Sequence, residues 1–359
     1  MTFLWQQYEG MKMTDYEMTK MEYLFVPKPI IYLPEPVNIG SIPEFENWRE
    51  MRQIQINQTN EWLFYIRDSS NNKLALKIFK RKANSYDYYY QAYRFQQQIE
   101  DFLDRIPLIL KSNRILSRFG LCSNDEYIYF LLPWQHEISL ADQIDYLPFY
   151  NTMKPALCAA SYLRAAESVP VNCDSAKWII QIQDRIDECL NNLRYRSMDL
   201  AALNHFERFY NSNRYVLQSR EISLCYKDFS LEQMYYQADG GIKIPLISNW
   251  TYADPWYHFR CLLTEIYPAS KDLAIFLVDS YFKFAPPKEF FVCLAIYTML
   301  DLFEDLCVCS SMRSERALGI MKEIRAVDHM YAKFRRGIPV WYKPLKAAYR
   351  ERYIENRLH

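Results

Sequence analysis

Two hydrophobic periods divide the chain. Between residues 46 and 135 apolar and polar positions tend to alternate. EWLFYIRD (61–68) and LALKIF (74–79) flank SSNNK, a Ser/Asn turn, and together predict a β-hairpin. Alternation in the second strand sets Leu74, Leu76 and Ile78 on one face and Ala75, Lys77 and Phe79 on the other. A helix over about 85–105 follows, then a strand, EYIYFLLP, ending at Pro133. Beyond 135 the spacing becomes helical. It predicts helices over about 145–168, 174–194, 199–217, 255–266, 270–284, 287–308, 313–335 and 340–357. Only 221–250 interrupts that run, with two short strands expected around QADGGIK and its Gly-Gly turn.

The stretch PKEFFVCLAIYTMLDLFEDLCV (287–308) is apolar nearly all round, which predicts a buried helix of a large core. Residues 1–45 differ from the rest. Prolines at 27, 29, 34, 36 and 43 disfavour helix and predict an extended strap, whose Leu24, Phe25, Ile30, Ile31 and Leu33 need an apolar surface or a partner to cover them. The expected class is therefore α+β: an extension (1–45), a small sheet-rich N-lobe (46–135) and a larger helical C-lobe (136–359).

At 359 residues, half of them hydrophobic, the chain can build two substantial cores. Lys plus Arg equal Asp plus Glu at 43 each, so no net field favours nucleic acid or a membrane surface, and neither is expected as a partner. Nine cysteines lie scattered without a CxxC pair and read as buried thiols of a reducing compartment. The first twenty residues lack a signal-peptide pattern, and no apolar run reaches the 18 or so residues needed to span a bilayer. The expected localisation is cytoplasmic. His258 and His329, on predicted helices among aromatic residues, read as packed or surface histidines.

Five motifs in order carry the functional signal: CYKDFSLEQM (225–234), LISNW (246–250), ADPWYHF (253–259), PPKEFF (286–291) and IPVWY (338–342). They resemble the HGDYHVGNM, IIDF, GDPWEEF, PPEEFF and VPSWY markers of a bacterial branch of the aminoglycoside phosphotransferase and choline kinase family. The resemblance spans about 46–345. It implies a two-lobe, protein-kinase-like fold with a small antiparallel-sheet N-lobe and a larger helical C-lobe. Matched residue by residue, it makes Asp228 the catalytic base candidate and Lys77, in LALK, the phosphate-binding candidate.

The scaffold markers match the family better than the chemical ones. Gln233 stands where the family has its metal-binding asparagine, and Ser248 where it has the metal-binding aspartate. Lys227 replaces the glycine before Asp228. The expected phosphate-covering turn, QINQTNEW (55–62), has no glycine to let backbone N–H groups approach phosphates. The helix glutamate that would pair with Lys77 aligns near Ala92, with Glu100 the next carboxylate about two turns on. Magnesium favours one or two carboxylates beside the nucleotide, so Gln233 and Ser248 form a degenerate pair, and no metal ligand is assigned. Glu232, Asp239 and Asp254 are the carboxylates that could replace the lost ones, with Asp254 read first as a scaffold residue.

The leading reading is a catalytically impaired pseudokinase that acts as a binding or regulatory module, for which a protein partner is expected. One alternative is an active ATP- and magnesium-dependent kinase that phosphorylates a small-molecule hydroxyl. The other is a structural, spore-coat-type member of the family. ATP and magnesium are cofactors of the active reading, and the pseudokinase reading requires none.

Overall fold

The computed structural model describes residues 39–343, apart from 44, 58–60, 84, 106–117, 123–124, 134–137, 197–200, 238 and 246–249. The strap therefore lies almost wholly outside the described residues. So do Ser248 and all of the expected C-terminal helix beyond 343. Two compact units share the chain: residues 1–83 with 117–135, and residues 84–116 with 136–359.

The smaller unit is a five-stranded antiparallel sheet in the order β1-β2-β3-β5-β4, built from β1 (Trp48–Asn57), β2 (Glu61–Asp68), β3 (Lys73–Lys80), β4 (Arg118–Cys122) and β5 (Tyr127–Pro133). The hairpin read from EWLFYIRD and LALKIF is β2–β3, with Glu61 opposite Phe79 and Arg67 opposite Lys73. Asp68 shapes its turn by accepting the backbone N–H groups of Ser70 and Asn72, while Asn71 takes a left-handed φ of 65°. Trp62, Phe64 and Ile66 of β2, Leu76 and Ile78 of β3, and Tyr127, Tyr129 and Leu131 of β5 make one apolar face. Burying each such side chain contributes about 1.5–3 kcal/mol. Gly120 sits opposite Tyr129, and a Cβ there would lie 2.7 Å from the tyrosine ring. Lys77 occupies the central strand, half-buried between the buried Leu76 and Ile78 and in register with Leu63 and Phe130. The glycine-free turn read at 55–62 joins β1 to β2, with Asn57 opposite Glu61. Its tip, 58–60, lies outside the described residues.

Seven helices of eleven residues or more are described in the larger unit: α1 (Ser85–Leu103), α2 (Met153–Glu167), α3 (Ser175–Tyr195), α4 (Ala201–Asn213), α5 (Lys271–Tyr281), α6 (Lys288–Cys307) and α7 (Glu315–Met330). Side-chain oxygens of Asp174, Ser270 and Ser314 cap the orphan N–H groups at the starts of α3, α5 and α7. Fourteen of the twenty residues of α6 are buried, as an all-round apolar helix requires, and α3, α4 and α7 pack around it. No helix among the described residues is long and apolar enough to cross a membrane.

Two small sheets complete this unit. In one, β7 (Ser223–Tyr226) pairs antiparallel with β10 (Trp250–Ala253); in the other, β6 (Ile138–Ser139), β8 (Tyr235–Tyr236) and β9 (Ile242–Lys243) lie in the order β6-β8-β9. The Gly-Gly turn joins β8 to β9, where Gly240 takes a φ of 81°.

Several sequence expectations need correction. The stretch expected as a helix at 255–266 is a 3-10 segment, Pro255–Cys261, followed by a π-helical turn, Leu262–Ile266. Pro268 supplies the reason. It has no N–H to continue an i→i−4 ladder, and the N–H of Tyr267 reaches instead to the carbonyl of Leu262. The helix read over 313–335 stops at Met330, and the chain turns through left-handed residues Ala332, Lys333 and Phe334. Residues 340–343, read as the start of a helix, are not helical. Not all cysteines are buried: Cys173 is exposed, and Cys261 and Cys307 are partly so, although all nine are free thiols.

Candidate functional site

All four residues of β7 are buried, and its end delivers Lys227 and Asp228 from the core to the surface. The loop that follows is pinned at Tyr226 to Phe229 and at Leu231 by the segment 258–265. His258 Nδ1 accepts the backbone N–H of Tyr226 at 3.1 Å. Arg260 Nη2 donates to the carbonyl of Lys227 and stands 3.6 Å from Asp228 Oδ1. Cys261 Sγ donates to the carbonyl of Phe229, and Glu265 Oε1 accepts the N–H of Leu231 at 2.5 Å. Phe229 is buried between the rings of Tyr226, His258 and Phe259. Lys227 is exposed and is not among the residues with positive φ, so its backbone is one that any residue adopts. Burial drives His258 down to about 3, so it is a neutral hydrogen-bond acceptor rather than an acid or base. The packed reading of His258 thus holds; His329 is exposed on α7.

Asp254 is the scaffold anchor. It is fully buried, and both oxygens are saturated: Oδ1 accepts from Arg220 Nη2 (2.8 Å) and the Trp256 N–H (2.9 Å), and Oδ2 from Arg220 Nε (2.7 Å) and the Tyr297 hydroxyl (2.6 Å). The Arg220 guanidinium also lies 3.4 Å from the centre of the Trp256 ring. With about four acceptor directions per carboxylate, none is left for a metal ion. Asp239 is held by Lys154 at 3.1 Å and by the Gly241 N–H. Gln233, half-buried in the 3-10 turn Leu231–Gln233, offers a neutral amide. Among the described residues no group of three or more His, Cys, Asp or Glu side chains could hold a metal ion. Neither Gln233 nor the saturated Asp254 offers magnesium a free carboxylate, the ligand it usually takes beside phosphates.

Glu100 on α1 is buried and accepts Gln96 Nε2 at 3.1 Å; burial holds Lys243 below the usual lysine range, and the charge of Glu100 opposes that shift. Glu100 belongs to the interior of the larger unit.

Asp228 opens onto a pocket of about 540 Å³ lined by Trp178, Arg185, Lys227, Asp228, Thr251, Tyr252, Ala253, Tyr257, Arg260, Asp301, Glu304 and Asp305. The size suits a small-molecule ligand. Of the described sequence candidates Asp228 lines it, with its side chain 64% exposed. Lys77 belongs to the other unit, and Ser248 falls outside the described residues. The wall on α6 is acidic, but each of its carboxylates is met by an arginine. Glu304 takes both Nε and Nη2 of Arg185 (2.6 and 2.7 Å), Asp301 takes Arg260 Nε (2.7 Å), and Asp305 takes Arg316 (3.1 Å). Burial pushes Asp301 up to about 6, while Arg260 and the Tyr257 hydroxyl oppose the shift. Trp178 and Tyr257 meet edge to face, 6.2 Å apart at 85°. Sequence reasoning missed Arg260, Cys261, Glu265 and the α3–α6 ion pair; their only signal was the nearness of Arg260 and Cys261 to the ADPWYHF marker.

No protein-family model and no curated protein sequence matches the chain. Solved structures do. The chain is similar to a point mutant of aminoglycoside 2'-phosphotransferase-IIIa in its GDP complex, at 13% identity and a TM-score of 0.52 over 80% of this chain and 95% of that one. It is also similar to aminoglycoside phosphotransferase APH(2'')-IIa in a ternary complex with streptomycin and ATP, at 16% identity and a TM-score of 0.48 over 89% and 99%. The class is thus an α+β, protein-kinase-like fold. Within it, the fold is that of the aminoglycoside phosphotransferases.

Proposed function

We propose that the chain is a small-molecule-binding protein on a phosphotransferase fold, in which phosphoryl transfer is lost or strongly impaired. The observation that carries this reading is the pinned loop. The one retained base candidate, Asp228, faces the guanidinium of Arg260, while the loop position that should hold a metal is the neutral Gln233. Removing charged groups from a phosphoryl-transfer site is costly, because each loss of about 1.4 kcal/mol of transition-state stabilisation slows the reaction tenfold. In this reading the pocket beside Asp228 is the binding site, and ligand occupancy or a protein partner replaces turnover as the output. A cytoplasmic setting agrees with the nine free thiols.

A second reading, an active ATP-dependent kinase, draws support from one feature. The Asp228 carboxylate is exposed at the pocket wall, where a substrate hydroxyl could give it a proton. The neighbours cited above were solved with GDP or ATP, and nucleotide binding by this chain is part of that reading. A single titration separates the two. Purified protein is mixed with ATP, with and without magnesium, and followed by melting temperature, by heat of binding and by transfer of labelled phosphate to candidate hydroxyl compounds. Absence of magnesium-dependent stabilisation and of transfer supports the binding protein; transfer abolished by Asp228→Asn overturns it.

A further inference from the structure

The 43 basic and 43 acidic residues balance over the whole chain but not locally. Between 322 and 343 stand Lys322, Arg325, Lys333, Arg335, Arg336 and Lys343, all exposed. The same stretch holds two acids, Glu323 and Asp328, and the second is already paired with His205. None of the six cations forms an ion pair with another described residue. Leu318, Lys322, Arg325 and His329 recur at helical spacing, which sets them in one stripe along the exposed side of α7. Beyond α7 the chain is pinned. The Val340 N–H donates to the carbonyl of Met330 at 2.7 Å, the Tyr342 hydroxyl donates to Asp279 at 2.5 Å, and Phe334 and Tyr342 are buried. Between these anchors Ile338 and Val340 stay 42% and 46% exposed, with Arg335 and Arg336 before them and Lys343 after. The start of α6 adds a seventh cation beside one acid, Glu289: Lys288 runs along Gly337, where a Cβ would lie 2.9 Å from its Cε.

We propose that this edge of the larger unit, residues 333–343 with the exposed stripe of α7, docks on an anionic phospholipid surface. Charge complementarity supplies the attraction, since acidic headgroups draw clustered Lys and Arg. The two aliphatic side chains supply the other half, because the boundary between headgroups and acyl chains removes them from water. A membrane also fits what the edge lacks. Residues 333–343 hold no Ser, Thr, Asn or Gln to hydrogen-bond a partner's backbone or bases, and what projects beside the cations is aliphatic carbon. Such docking is peripheral and needs no spanning helix.

The test is co-sedimentation of the full chain with vesicles of phosphatidylcholine, pure or mixed with phosphatidylserine. Each is run at about 0.05 M and 0.5 M salt, between which the screening length shrinks about threefold. Expected is binding to the mixed vesicles alone, weakened by salt. Arg335→Glu with Arg336→Glu should cut partitioning at least about twentyfold, since each basic residue near an anionic surface raises it about fivefold. Ile338→Ser with Val340→Ser should weaken it severalfold and leave the salt dependence in place. Arg94→Glu with Lys177→Glu makes the same change of net charge on α1 and α3 and should leave binding intact; circular dichroism confirms that each variant is folded. No binding to either vesicle, equal binding to both, or an equal loss in the control pair overturns the inference. Preferred binding of polyglutamate or of an oligonucleotide, lost in the Arg335 and Arg336 variant, gives the edge another anionic partner and overturns the membrane. All of these outcomes are independent of the pocket beside Asp228.

Discussion

Replacing Asp254 by alanine removes the acceptor of four hydrogen bonds at once, two from Arg220 and one each from Trp256 and Tyr297. The guanidinium left behind has a side chain only 17% exposed and sits against Trp256. Breaking a buried ion pair by deleting one partner costs about 3–5 kcal/mol. The orphaned Trp256 N–H and Tyr297 hydroxyl would each add about 1–3 kcal/mol if counted alone, but groups sharing one carboxylate do not add, so about 4 kcal/mol is the working figure. That is a large part of the 5–15 kcal/mol that usually holds a folded unit together. Urea unfolding followed by circular dichroism, with tryptophan fluorescence as a second probe, should show the loss in the larger unit's transition. The double substitution Asp254→Ala with Arg220→Met should cost less than the sum of the single changes by about 2 kcal/mol or more, because the stranded charge is gone. A loss below about 1 kcal/mol for Asp254→Ala, or strict additivity in the pair, would refute the anchoring role assigned to this carboxylate.

Other perturbations probe the same unit. Glu167 accepts the Tyr281 hydroxyl, and burial, aided by the charge of Asp254, pushes it up to about 8 from an ordinary 4.5. The folded state keeps a proton that the unfolded chain releases, so this contribution is complete below about 4.5 and is lost as pH rises toward 8. Glu167→Gln should flatten the fall in melting temperature between pH 5 and 9, and an unchanged profile would sink that account. His258 has the opposite sign, since it is held neutral down to about 3 and adds stability above 6.5 that is lost as pH falls. His258→Ala should cost about 1–3 kcal/mol at pH 7 by orphaning the Tyr226 N–H; no loss in thermal unfolding at that pH would contradict it. Arg260→Met should loosen the loop around Asp228, visible as faster amide exchange at Phe229 and Leu231, and unaltered exchange would show that the loop holds itself.

Periodicity made the β2–β3 hairpin, the buried helix α6 and the Gly-Gly turn legible, because each is written in a local repeat or in one residue's backbone freedom. The scaffold character of Asp254 was also legible, through motifs that stand close together in the chain and that single out Asp228, which lines the pocket. The π-helical turn at Leu262–Ile266 was not, since helical spacing does not distinguish i→i−4 from i→i−5 bonding and only Pro268 marks the place.

What the sequence by itself determined is the β2–β3 hairpin, the buried helix α6, the Gly-Gly turn and the order in which a sheet-rich part precedes a helical one. Tertiary structure decided what surrounds Asp228. Arg260 reaches Asp228 across 32 residues, Arg220 reaches Asp254 across 34, and Arg185 reaches Glu304 across 119. Such pairs leave no local pattern, because a charged residue on a helix surface reads the same whether it faces water or a partner from a distant helix. Only packing α3 against α6, and the 3-10 segment against the loop after β7, brings those charges together as ion pairs along one pocket.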